Sequence, residues 1–413
     1  MIGFRAALAA TTILGGLTAA SATELEVTHW WTSGGEAAAV AVFADAFNKT
    51  GHKWVDGAIA GGGNARPIII SRISGGDPMG ATQLNTGRDA EELVKAGLMT
   101  DLTEIAERDG WADFIRPAKL LDSCRYEGRI YCVPVNIHSF QWMWLNRGVF
   151  EDNGLDIPTN WNEFVAAAPA LRDKGVIPLA VGGEAWQING MAGVFQVALG
   201  GVELFRKINV DRDLEAAAGP QMTQVFEAIG AARDMVDDGF VGRAWNDAAN
   251  MVITGKAGAQ IMGDWAQGEF SVAGQKAGED YDCLPGLGVY PVLDTGGDAF
   301  YFPKPADDNP EVVAAQLEMA SLLVSKEVQV DFNLKKGSLP IRGDIDLSAA
   351  NDCMQKGIKI LENPDNILPG GEQSWSSDTT GQMEDLWVEF FNDPDMPVEE
   401  AQARYVEIIE NAD

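Results

Sequence analysis

Histidine is scarce in this chain. Only His29, His52 and His138 occur among 413 residues, too few for a multi-histidine metal site or a histidine-based relay. Positive charge is also in short supply. Lys and Arg number 30 against 61 Asp and Glu, a net charge of −31. A surface so acidic repels a phosphate backbone, which argues against a nucleic-acid partner. Cysteine appears four times and never as CxxC, so zinc ribbons and thioredoxin-like redox sites find no support. GxSxG and HExxH are absent. GGGN (61–64) lacks the GK[ST] of a phosphate loop, and Thr254-Gly255-Lys256 lacks the preceding glycine frame. Carboxylate pairs are expected from number alone and carry no argument for a glycosidase. Nothing demands a cofactor or a metal.

What is present is apolar and aromatic. Hydrophobic residues make up 46%, with 12 Trp and 17 Phe. A disordered acidic chain would have neither. The length suits two or three domains.

Arg5, the apolar stretch Ala6–Leu17 and the small residues Ala20-Ser21-Ala22 form a secretory signal peptide, residues 1–22, with cleavage expected after Ala22. The stretch is shorter than the ~18–20 residues of a membrane span, and no later segment reads as a span. Export makes disulfides expected. Cys124 and Cys132 flank RYEGRIY, a strand, a Glu127-Gly128 turn and a second strand, which a bridge would close. Cys283 and Cys353 remain as a distant second pair.

ELEVTHW (24–30) alternates as a strand does, TSGGE opens a helix carrying Val40, Phe43, Ala44 and Phe47 on one face, and 54–60 is a second strand. GGGN reads as a turn before an apolar helix, 67–73. Asn160 with Glu163 forms a capping box. Strands are expected at 177–181 and 257–262, and helices at 221–236 and 309–332. This strand-helix alternation predicts an α/β protein with parallel sheets. No repeat, low-complexity tract or long linker occurs, so the domains are expected to be joined by several short crossings.

Trp30-Trp31 stands where the first strand meets its helix, the end at which α/β sheets bind ligands. Strand alternation lets one indole enter the core and the other face a cleft. Glu36 lies in the first helical turn, and Trp265 in GDWAQGEF repeats the placement after another strand. Indole faces ringed by polar groups suit a pyranose, whose faces are C–H and whose rim is hydroxyl. Trp142 and Trp144 share one strand face and are expected in the core. Arg342 is expected to be structural, and His138 to pack near a domain crossing.

Seven stretches now carry a resemblance: WWTSGGE (30–36), ISGGDPMGATQLN (73–85), GRIYCVPVNIHSFQWMWLNR (128–147), IPLAVGGEAWQ (177–187), IMGDWAQGEF (261–270), GGDAFYFPK (296–304) and KKGSLPIR (335–342). In this order the chain resembles the family 1 extracellular sugar-binding proteins of bacterial ABC importers, glucose/mannose-type subgroup, over essentially its whole length past the signal. The resemblance implies a periplasmic-binding-protein-like fold of two α/β lobes with a hinge and an interlobe cleft. It places 23–134 plus 296–325 in an N-terminal lobe and 135–295 plus 326–413 in a C-terminal lobe. It implies a periplasmic, non-catalytic monomer that hands a monosaccharide to ABC transporter permease subunits in the inner membrane. The ligand residues it implies are Trp30, Trp31, Glu36, Gln83, Asn85, Trp265, Asp298 and Lys336. A structural Asp298–Lys336 pair is the competing expectation. Two departures bear on the sugar. Asn85 stands where some relatives have Lys, and QSWSSDTT (373–380) lacks the His of many glucose-type relatives, with Ser376 or Asp378 expected in its place. Galactose, mannose or another aldose stay open beside glucose. An oligosaccharide binder, an exported glycoside hydrolase and, more remotely, a ferric or anion receptor are the alternatives.

Overall fold

The computed structural model describes residues 22–412. All but the last residue of the expected signal peptide, 1–22, lies outside them. Two mixed sheets organise the chain. The first has strands β1 (Glu24–His29), β2 (Lys53–Ala58), β3 (Ala81–Asn85), β4 (Cys132–Pro134) and, far along the sequence, Asp298–Tyr301. Its order is β2, β1, β3, the Asp298 strand, β4. β1 pairs in parallel with both neighbours, whereas the Asp298 strand runs antiparallel to β3 and to β4. The fully parallel expectation is thus corrected. The Asp298 strand re-enters the sheet from the other lobe and must run backwards.

The second sheet is built from β5 (Trp142–Asn146), β6 (Ile177–Ala180), β7 (Ala257–Ile261) and β8 (Tyr281–Pro285), in the order β8, β5, β7, β6. The Asp298 strand is therefore β9. Trp142 and Trp144 stack in the core beneath β5, ring centroids 5.7 Å apart.

Helices cover both sheets. α1 (Gly34–Asn48) starts at Ser33, whose hydroxyl accepts from the Glu36 N–H. α2 (Gly62–Ser74) begins inside GGGN. The expected glycine turn is instead the first helical turn, entered through Gly61 at φ 81°. α3 (Trp161–Asp173) carries the capping box. Asn160 accepts from the Glu163 N–H, while the Glu163 carboxylate reaches back to the Thr159 N–H at 2.8 Å. α4 (Ala185–Asn209) is long and apolar enough to cross a membrane by length and composition, which the sequence reading did not foresee. It lies largely buried against α5 (Pro220–Arg233) and later helices, packing that accounts for its apolar surface.

α6 (Ala266–Val272) follows β7. The helix expected over 309–332 is two, α7 (Pro310–Leu323) and α8 (Lys326–Lys336), because Ser325 is extended at φ −65°, ψ 153°. α8 was expected in the C-terminal lobe, but it packs on α1, with Phe332 stacked on Phe43 at 4.1 Å and tilted against Trp31 at 5.4 Å. The third run of chain between the sheets follows Lys336. Gly337 ends α8 at φ 84°, where a Cβ would stand 2.7 Å from Gln267 Cβ. α9 (Ser377–Asn392) and α10 (Val398–Glu410) complete the second lobe.

Three strands of chain run side by side between the sheets. Ile137 bridges Leu339, and His138 bridges Gly296. Both cysteine pairs are within bonding distance and form disulfides, Cys124–Cys132 across the hairpin and Cys283–Cys353. The hairpin turns through Glu127 and Gly128, both at positive φ.

Candidate functional site

Between the sheets lies a cavity of about 810 Å³, the size range of small-molecule sites. The crossings floor it, and α1, α2, α4 and α9 wall it, with Trp265 at the start of α6. Among the expected ligand residues, Trp30, Trp31, Glu36, Asn85, Trp265, Asp298 and Lys336 line this cavity.

The two adjacent indoles divide as strand alternation requires. Trp31 is 1% exposed and packs on Phe43, Phe300 and Phe332, at centroid distances of 6.1, 5.8 and 5.4 Å. Its Nε1 is buried without a partner among the described residues. Trp30 is partly exposed, with the Arg66 guanidinium 4.7 Å from its ring centroid. Arg66 in turn is bound to Asp89 at 3.1 Å.

Trp265 faces them from the other lobe. Its ring folds back over Gly263, where a Cβ would stand 2.1 Å from Cζ3. His138 and Phe140 meet it edge-on at 5.2 and 5.5 Å, and Trp186 lies 6.1 Å away. Phe140 also needs a glycine: a Cβ on Gly190 of α4 would be 2.3 Å from its ring.

Lys336 Nζ sits between the lobes' indoles, 5.8 Å from Trp31 and 5.7 Å from Trp265. Its partner is Glu36, at 3.4 Å, with both residues buried. The structure thus pairs Lys336 with Glu36 and not with Asp298. Burial pushes the Glu36 carboxyl above its ordinary range, against the pull of Lys336 and the Ser33 hydroxyl.

Asp298 is buried and accepts from Gln83 Nε2 at 2.7 Å, Asn136 Nδ2 at 2.8 Å and His138 Nδ1 at 3.2 Å. Burial alone would raise its pKa. The His138 ring, Lys336 and the Asn136 amide outweigh burial and hold the carboxyl well below the usual range. Asp298 is thus a fixed anion at the cavity floor.

Three expected residues stand elsewhere. Gln83 is fully buried outside the cavity lining, its amide spanning the Trp30 N–H at 3.0 Å and Asp298 at 2.7 Å. It orients two lining groups. Ser376 caps α9 through the Thr379 N–H, and Asp378 is exposed and accepts from Gln382. Helical phase explains the correction: Ser377, Thr380, Gly381 and Glu384 turn inward in their place.

Sequence reasoning missed Glu184, Trp186, Gln141 and Glu384 and gave His138 only a packing role. GGEAWQ after a strand repeats the placement of GDWAQG, and that signal points to Trp186. Gln141 Oε1 is buried without a partner among the described residues. Among the described residues, no group of His, Cys, Asp and Glu is arranged to hold a metal ion. As expected, Arg342 is structural, held by Asp344 and lying over Phe114 at 3.5 Å.

Two α/β lobes enclosing an aromatic, charged cleft across three crossings define a cleft-binding protein. The chain belongs to the bacterial extracellular solute-binding protein family, whose model matches residues 31–329. It is 40% identical over 338 residues to a "Probable sugar-binding periplasmic protein" of Brucella suis, covering 81% of this chain and 78% of the relative. A protein of the same description from Rhizobium meliloti is 37% identical, covering 85% and 84%. These relatives are binding proteins and not enzymes. Among solved structures, a chitin oligosaccharide binding protein superposes with a TM-score of 0.79 at 18% identity, covering 95% of this chain and 99% of the other. A bacterial solute receptor described as preferring b-D-galactopyranose gives 0.78 at 19%, covering 94% and 98%. At such identities the likeness is one of fold, and it is the two-lobed periplasmic-binding fold.

Proposed function

We propose that this protein captures a sugar outside the cytoplasmic membrane and delivers it to the permease of an ABC importer, acting as a monomer without catalysis. The reading rests on one observation above the others: one cavity joins the partly exposed Trp30 of one lobe and Trp265 of the other to the buried Lys336–Glu36 pair, with Asp298 beside it. Aromatic faces take the C–H surface of a pyranose, and fixed charges take its hydroxyl rim. The relatives named as sugar-binding periplasmic proteins support the same class, and the acid-poor N-terminal 22 residues support export.

The ring bound at this end is a glucose-like aldose, with galactose or mannose as close competitors. Micromolar affinity needs about 8 kcal/mol. Over the roughly dozen heavy atoms of a hexose that is about 0.7 kcal/mol per atom, below the ~1.5 ceiling for small ligands. Enclosure between lobes makes it attainable, because each hydrogen bond then forms away from water. A hydroxyl of the wrong configuration leaves a buried group unpaired, at about 1–3 kcal/mol, which separates epimers. Closure around the sugar also gives the permease a loaded form to recognise.

Thermal shift across aldohexoses, pentoses and disaccharides tests the reading, followed by calorimetry on ligand-stripped protein. A ligand at 100 times its Kd stabilises by about 2.7 kcal/mol. Trp265→Ala should lose the response while melting like the parent. Silence across all sugars, or an unchanged affinity in Trp265→Ala, would refute it.

A further inference from the structure

We propose that a small buried cavity outside the cleft is a binding site for one internal water, and that this water ties the loop carrying Trp265 to β5. The site stands apart from the sugar-binding reading; only its effect through Trp265 rests on that reading.

Two buried polar groups point to it. Strand alternation puts Trp142 and Trp144 on one face of β5. Both indoles are buried, and a buried indole N–H needs an acceptor. Trp144 Nε1 donates to the Met262 carbonyl at 2.8 Å. Trp142 Nε1 has no acceptor among the described residues, and Asp264 Oδ1 has no donor among them. The rest of Asp264 is fully engaged. Its N–H donates to the Ser139 carbonyl, its Oδ2 accepts from the Ser139 N–H and its carbonyl accepts from the Gln267 N–H, each at 3.0 Å.

Trp142 and Asp264 line one cavity of about 10 Å³, closed by Gln267, Leu339, Cys353 and Met354. Trp142 is 2% exposed and Asp264 4%, and neither lines the large cleft. A space of this size takes one water and nothing larger. The chemistry selects the same ligand. A cation would sit against the indole N–H, and an apolar atom would leave both polar groups unmatched. Water accepts from the indole and pairs with Asp264 whether that carboxyl is ionised or protonated. Gln267 Oε1 is reached by the Tyr281 hydroxyl only at 3.5 Å, which leaves it a lone pair for the water's second hydrogen.

The walls come from stretches on which the cleft depends. Trp142 belongs to β5, and Asp264 immediately precedes Trp265. Leu339 bridges Ile137 where the chain runs between the sheets. Cys353 brings in the helix Asp352–Leu361 through its disulfide to Cys283 of β8. A water held by both Trp142 and Asp264 adds the remaining bond at Asp264 and fixes the loop from which the Trp265 indole projects.

A crystal structure of wild type and oxygen-17 magnetic relaxation dispersion, which counts long-lived internal waters, test the site without any sugar. Wild type should show one ordered water within hydrogen-bonding distance of both Trp142 Nε1 and Asp264 Oδ1. Trp142→Phe keeps a ring and removes the N–H, and should lose one long-lived water. Asp264→Asn keeps a polar atom in the cavity and should retain it. Calorimetry on ligand-stripped protein should show sugar affinity at least about threefold weaker in Trp142→Phe. A dry cavity in wild type overturns the site, and that density decides even if the Phe variant does not fold. Equal water counts in wild type and Trp142→Phe also overturn it. Loss of the water with unchanged sugar affinity overturns the tie to Trp265. Absence of binding by every sugar overturns instead the sugar reading, while the water counts still judge the site.

Discussion

The Gly35 N–H donates a 2.7 Å hydrogen bond to Glu269 Oε1, joining the first turn of α1 to α6, the helix that follows β7 of the second sheet. The acid from one element thereby satisfies an amide that the other helix cannot. The contact is possible only because both backbones are bare: a Cβ on Gly35 would stand 2.5 Å from the Gly268 carbonyl carbon. Gly35→Ala should therefore drive α1 and α6 apart at a cost of about 1–3 kcal/mol, seen as a lower thermal midpoint. Gly34→Ala is the control, since a Cβ there meets its neighbours at 3.4 Å or more. Equal melting of the two variants would refute the close approach.

Gly263 does a similar service for the ligand site. The Trp265 ring occupies the space a Cβ would need, at 2.1 Å. Gly263→Ala should displace the indole and cost at least about tenfold in sugar affinity, with little change in melting because the ring is at the cavity surface. Adding Trp265→Ala should then cost nothing more, since the same interaction is already lost. An additive double variant would show that Gly263 acts by another route.

Asp264 joins the crossings: its Oδ2 accepts from the Ser139 N–H at 3.0 Å, while Oδ1 is buried without a partner among the described residues. Burial pushes its carboxyl up to about 8, opposed by His138 and Lys336. A carboxyl raised in the fold keeps a proton that the unfolded chain releases near pH 4. Its contribution to stability is therefore complete below about pH 4 and is lost as pH rises through about 8. Asp298, held low, is ionised in both states across that window and adds no slope. Thermal midpoints of wild type minus Asp264→Asn should fall steadily from pH 5 to pH 8.5. A flat difference would refute the protonated carboxyl.

Much of this site was legible in the sequence wherever local chemistry fixes direction. Trp30 and Trp31 follow strand alternation, and Trp265 follows the strand-to-helix placement. The misses share one cause. Gln83 lies on β3 with its side chain turned to the neighbouring strand, and which way it faces depends on β9 arriving from 215 residues later. Ser376 and Asp378 were misplaced by a rotation of α9, because the cap at Ser376 fixes the helical phase and turns Ser377 inward. His138 lies in a crossing with no periodicity, so its partner Asp298 could come only from the fold. The break at Ser325 was invisible for a related reason: both halves of 309–332 are apolar on one side, and only their separate docking on α1 bends the chain.

The two disulfides should contribute unequally. Cys124 and Cys132 are separated by 8 residues and Cys283 and Cys353 by 70. On loop-closure entropy the first is worth about 2.5 kcal/mol and the second about 4.4. The longer bridge also fixes β8, whose Cys283 carbonyl accepts from Lys356 Nζ at 2.8 Å, to the segment that leads from the third crossing toward α9. Cys283→Ser with Cys353→Ser should therefore lower the denaturant midpoint more than the paired hairpin change. It should also weaken ligand binding, since the segment carrying α9 loses its tie to the sheet. Equal losses, or a larger one at the hairpin, would mean that the unfolded chain already holds the distant ends together.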